Sequence, residues 1–93
     1  RMRITNADDT LDDDYILNVD STSSATITLP DITLDQYNGV SYMVIKQTAN
    51  TVNLTTQASD KIFDGIDYDT ISLTGISGER IIVVSNGFKW YVM

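Results

Sequence analysis

The side chains of this chain that could do chemistry are carboxylates. Of its 93 residues thirteen are acidic, twelve of them Asp, and it has neither histidine nor cysteine. They gather as Asp8, Asp9 and Asp12 to Asp14 near the start, and as Asp60, Asp64, Asp67 and Asp69 further along. Clustered acids suggest first a calcium loop, whose oxygen ligands converge at fixed spacing around a glycine bend and a closing glutamate. Asp60-Lys61-Ile62-Phe63-Asp64-Gly65 places an acid and a glycine suitably, but Ile62 takes a ligand position and Ile71 the closing one. The N-terminal run misses the same template. Two readings stay open: an irregular calcium or magnesium site, or turn acids that keep the protein soluble.

Other chemistries find less. Glycoside hydrolysis needs two carboxyl groups about 5–9 Å apart in a cleft, which flexible loops of so short a chain seldom provide. Without histidine no serine has an evident base, and no glycine-rich phosphate loop occurs. We therefore expect no enzyme, no catalytic residue, no cofactor and no metal ligand. Asn53-Leu54-Thr55 fits a glycosylation sequon but falls mid-strand. Tyr37, Tyr68 and Tyr91 could stack on sugar rings, or serve only as packing and interface area. Trp90 is expected in the core.

The elements that must position these residues are strands. Twelve Thr, eleven Ile, seven Val and five Tyr with a single Pro favour sheet over helix. Residues 1–14 read as an extended, acidic entry segment of little intrinsic order. Residues 15–20 form the first firm strand, with Tyr15, Leu17 and Val19 on one face. Ala25-Thr26-Ile27-Thr28-Leu29 alternates apolar and Thr, the pattern of a half-buried strand, and Pro30 ends it. Residues 40–48 are apolar on both faces and should be central. Strands at 51–56, 61–63 and 70–74 follow, separated by turns.

The chain closes on Ile81-Ile82-Val83-Val84-Ser85-Asn86-Gly87-Phe88-Lys89-Trp90-Tyr91-Val92. Asn-Gly between β-rich runs predicts a two-residue type I′ turn. That register sets Ser85 opposite Phe88, Val83 opposite Trp90 and Ile81 opposite Val92. Both faces of the hairpin are apolar, which a small two-layer domain cannot easily cover alone. The expected fold is all-β, a small antiparallel sandwich, jelly-roll-like or barrel-like, of seven to nine short strands in one domain spanning 1–93.

Size and charge bound the partners. A chain this short buries only about 60–65% of its unfolded surface, and neither disulfides nor the usual metal staples are on hand. Oligomerisation is the remaining common supplement. A net charge of −7 argues against nucleic acid and anionic membranes, and no apolar run approaches the roughly 20 residues that span a bilayer. The chain opens on Arg rather than Met and reads as a piece of something longer.

Residues 25–93 carry a resemblance. Ala25-Thr26-Ile27-Thr28-Leu29-Pro30, Asn38-Gly39, Tyr42-Met43-Val44-Ile45-Lys46 and Asp60, Ile62 and Gly65 occur in order. Ile71-Ser72-Leu73 and the closing Val84-Ser85-Asn86-Gly87-Phe88-Lys89-Trp90-Tyr91-Val92 follow. Together they resemble the C-terminal β-domains of phage tail fibres and related viral surface proteins. That resemblance implies a homotrimeric domain at the end of an elongated virion protein, exposed on the particle, whose tip binds a host receptor, often a glycan. No binding residue carries over, because the shared motifs are strand and turn elements. We expect receptor contacts in the loops 31–39, 64–69 and 75–78, with Tyr37, Asn38, Asp64, Asp67, Tyr68 and Asp69 as candidates. The competing expectations are a purely structural decoration or trimerisation module, and a carbohydrate-binding module.

Overall fold

The computed structural model describes residues 2–11, 16–31, 39–57, 60–86 and 88–93. Their strands are β1 (Met2–Thr5), β2 (Asp9–Thr10), β3 (Ile16–Val19), β4 (Ala25–Thr28), β5 (Ser41–Lys46) and β6 (Val52–Thr55). They continue with β7 (Ile62–Phe63), β8 (Asp67–Tyr68), β9 (Thr70–Leu73), β10 (Arg80–Ser85) and β11 (Trp90–Val92). A seven-stranded sheet runs β1-β3-β5-β10-β11-β7-β8, and a four-stranded sheet runs β2-β4-β6-β9. The expected all-β, two-sheet architecture of short strands is present.

Strand direction is where the structure departs from a uniformly antiparallel sandwich. From β1 to β6 the chain changes sheet at every strand, so each sheet grows by parallel addition: β1, β3 and β5 in one, β2, β4 and β6 in the other. Parallel neighbours need a long crossover, and here the crossover is the opposite sheet's strand. Leu17 lies beside Val44 and Ala25 beside Val52, an equal step along the chain in both sheets. The first winding is shorter, with Thr5 beside Val19 and Asp9 beside Ile27. Antiparallel strands then end the winding: β10 pairs with β5, and β9 with β6.

The core lies between the sheets. Leu17, Val19, Ala25, Ile27, Tyr42, Val44, Val52, Leu54, Val83 and Trp90 all point into it. Burying each large aliphatic side chain contributes about 1.5–3 kcal/mol. Tyr42 and Trp90 meet with ring centroids 5.7 Å apart at a tilt of 53°, an arrangement that aromatic quadrupoles favour. β5 is flanked by β3 and β10 and is central, as its two-sided apolarity requires.

Residues 2–11 are more ordered than their composition suggests. β1 takes its pairing from β3 and β2 from β4, and the Leu11 amide donates to the Thr28 carbonyl at 2.8 Å. Leu11 itself is buried in the core. Weak local propensity is overridden by a preformed parallel edge. Residues 12–15, including Tyr15, lie outside the described set.

The closing hairpin keeps its faces but shifts its register by two. Ser85 pairs with Trp90, Val84 with Tyr91 and Val83 with Val92. The Asn86 carboxamide oxygen accepts the amides of Phe88 and Lys89 at 2.9 and 3.0 Å, while the Asn86 amide reaches the Lys89 carbonyl at 3.3 Å. This side-chain turn competes with the two-residue loop, as Asn commonly does. Phe88, expected opposite Ser85, is instead 84% exposed.

Candidate functional site

Lys46 shows how the core reaches a loop. Its stem is fully buried at the end of β5, and its ammonium donates to the carbonyls of Thr48 (2.9 Å) and Gly75. The Gly78 amide donates to the Lys46 carbonyl, a geometry that holds Gly78 at φ 95°, where glycine alone is at ease. Glu79 completes the loop by accepting the Gly75 amide at 2.8 Å. The 75–79 segment encloses an open concavity of about 430 Å³ lined by its own five residues. No catalytic group converges there.

That loop is fixed at one end of the β5–β10 ladder, beside Lys46, whereas Gly39 bonds to Ser85 at the other end. Gly39, which ends the candidate loop 31–39, and the 75–78 loop therefore lie at opposite ends of the central strands. Tyr37 and Asn38 lie outside the described residues.

The remaining candidates converge on the β7–β8 hairpin. Asp64-Gly65 forms its tight turn, with the Asp64 amide donating to the Ile66 carbonyl at 3.0 Å and Gly65 at φ 84°. Asp69 pairs with Lys61, and Asp67 accepts Lys89 through both oxygens at 3.0 and 3.3 Å. Exposed pairs like these contribute no more than about 1 kcal/mol each; their main effect is to place charge. Tyr68 is 39% exposed on the same hairpin.

Two neighbours escaped notice in the sequence. Phe63, in β7, is exposed and packs edge-on against Tyr91 at 5.8 Å and 61°. The Lys89 ammonium stands 5.6 Å from the Phe63 ring centre, inside cation–π range. Parallel pairing of β7 with β11, which sets Phe63 beside Tyr91, has no local sequence signal. Trp90, by contrast, is wholly buried and offers no exposed platform.

Among the described residues no group of three or more acids comes together that could hold a metal ion. Asp60 is buried, its carbonyl accepting the Thr56 hydroxyl at 2.8 Å, and Asp64 is exposed on its turn.

The two outward faces differ sharply. On the four-stranded sheet, Thr26 stands beside Asn53 and Ser72, and Thr10 beside Thr28, Thr55 and Thr70. This face is polar, tied by Thr70 to Thr55 at 3.0 Å and Ser72 to Asn53 at 2.6 Å, with the Asp8 carboxylate accepting the Thr26 amide at its edge. On the seven-stranded sheet, Ile16, Met43 and Ile82 form one outward row. Ile4, Asn18, Ile45 and Arg80 form another, and Val84, Tyr91 and Phe63 continue the face. Most of these are half-buried, and Ile4 is 65% exposed.

The chain matches no protein-family model, no curated protein and no solved structure.

Proposed function

We propose that this chain is a non-enzymatic structural domain of a virion fibre or surface protein, assembling as a homotrimer and taking part in attachment to a host-surface glycan. The observation that carries assembly is the contrast between the two exteriors. This sequence places Thr, Asn and Ser on one outward face, so an apolar opposite face is not for want of polar residues. An apolar surface across β1, β3, β5 and β10 is offset most simply by copies of itself, since symmetric self-association covers the same patch on every subunit. Attachment rests on the resemblance of residues 25–93 to viral fibre domains, together with the exposed aromatic hairpin. The second reading is a decoration or trimerisation module without receptor, favoured by the same apolar face.

Light scattering after size exclusion tests the assembly. A mass near three times 10.3 kDa is expected, unchanged by calcium chelation. A clean monomer at micromolar concentration would overturn the trimer, and host-cell binding by the isolated protein separates attachment from mere structure.

A further inference from the structure

Of the twelve aspartates only Asp64 is followed by glycine. The amide nitrogen of a following residue can attack an aspartyl side chain and close a five-membered ring. That approach is easiest where the following residue has no side chain and a freely turning backbone, and hardest where it is β-branched. The fold leaves this one pair open to the reaction. Asp67 and Asp69 are each held by a lysine, whereas the Asp64 carboxylate has no hydrogen bond or ion pair among the described residues. Asp64, Gly65 and Ile66 are all exposed, and Gly65, at φ 84°, has empty space where a side chain would stand. The turn's own bond runs from the Asp64 amide to the Ile66 carbonyl, and the Gly65 amide finds no acceptor among the described residues. Asn86 also precedes a glycine, but its carboxamide is occupied, accepting two amides and donating to the Tyr91 hydroxyl.

We propose that Asp64-Gly65 is a site of spontaneous isoaspartate formation, a covalent modification that rebuilds the β7–β8 turn. The Gly65 nitrogen bonds to Cγ of the protonated Asp64 carboxyl, and the amide proton leaves with the carboxyl hydroxyl as water. Water then opens the resulting succinimide at one of its two carbonyls. Breaking the bond from nitrogen to Cγ restores Asp64. Breaking the bond from nitrogen to the backbone carbonyl leaves Gly65 attached through the side chain and frees the α-carboxyl. Nothing is oxidised or reduced, one water leaves and one returns, and mass and net charge are unchanged.

The backbone thereby gains a methylene inside the three-residue loop 64–66, which sets Phe63 opposite Asp67. β8 has only β7 as a neighbour in its sheet, so its pairing and the Asp67–Lys89 ion pair lose their anchor. β7 stays in place, held by β11 on its other side and by the buried Ile62. The modification is confined to the edge of the sheet.

The test ages the whole folded chain at neutral pH and body temperature, beside a free peptide of residues 62–80. Trypsin, cutting after Lys61 and Arg80, releases the same stretch, which contains no Asn. The expected result is a second peak of identical mass that resists a protease cutting before aspartate at position 64. It should form in the folded chain at a rate within about tenfold of that in the free peptide. Amide shifts of the aged chain should move at Phe63, Asp67 and Lys89 and stay fixed at Leu17 and Val44. Asp64→Glu keeps the charge but would need a six-membered ring, so its second peak should vanish while its circular dichroism matches the parent's. Folded-chain isomerisation slower than the peptide's by more than that margin would overturn the site. So would an isomer mapped to Asp67 or Asp69, or an undiminished second peak from Asp64→Glu.

Discussion

Lys46 illustrates how one residue can serve both core and loop. Its aliphatic stem packs between the sheets while its ammonium ties two carbonyls at the margin, the divided behaviour expected of long cationic side chains. Lys46→Ala should cost about 2–4 kcal/mol by removing stem and ties together. Lys46→Met retains the stem and removes a buried charge, so it should stay within about 1 kcal/mol of the parent. Its 75–79 amides should nonetheless exchange faster with solvent. Urea denaturation and hydrogen exchange measure the two effects. A Met variant as unstable as the Ala variant would mean that the carbonyl ties outweigh packing. The buried Trp90 adds a cost of its own, because its indole N–H finds no acceptor among the described residues.

At the scale of elements, the first eleven residues give the sharpest test. If β1 and β2 are integral, Leu11→Ala should destabilise the domain by about 2–4 kcal/mol, as core truncations do. A loose acidic tail would show no change in the urea midpoint. The strands legible in the sequence were β3, β4, β5, β6, β7, β9, β10 and β11. Thr26 and Thr28 faced out and Ile27 faced in, as their order demanded. β1, β2 and β8 were not legible: β2 and β8 are two-residue strands that begin with Asp, and β1 is set by its parallel pairing with β3 rather than by a pattern of its own. The parallel winding was hidden too, since its first and second turns are of unequal length. In the candidate site, Asp67, Tyr68 and Asp69 could be named from turn chemistry. Phe63 could not, because only tertiary pairing sets it beside Tyr91. The Asn86 turn failed for a different reason, a side-chain oxygen capturing two amides that a tight turn would have left elsewhere.

For the whole molecule, the proposed assembly is tested at the apolar exterior of the seven-stranded sheet. Ile82 lies outward between Met43 and the neighbouring rows, half-buried in the single chain. Ile82→Asp should leave the fold intact, because its side chain does not enter the core, yet convert the assembly to monomer by placing an unpaired charge in each contact. Circular dichroism would report the retained sheet, and light scattering the lost mass. An Ile82→Asp protein of unchanged trimer mass would move the contact to another surface. In the proposed trimer the net charge of −7 per chain would multiply. Cell surfaces rich in acidic groups would repel such a trimer over a Debye length of about 8–10 Å.

The alternation of the chain between two sheets also governs the order of events in folding. No neighbouring pair among β1 to β6 is joined by a hairpin, so these six strands cannot assemble from local contacts. Each parallel ladder requires a whole intervening winding to close first, and the central β5–β10 ladder waits for the last strands of the chain. Non-local topologies of this kind fold in about milliseconds to seconds. Stopped-flow refolding followed by the Trp90 signal should fall in that range rather than in microseconds. A nascent chain lacking residues 80–93 would hold β5 with one flank bare and the indole missing from the core. The domain can therefore close only after residues 80–93 have been made, and the exposed outer face of β5 would until then be a site for mispairing between chains.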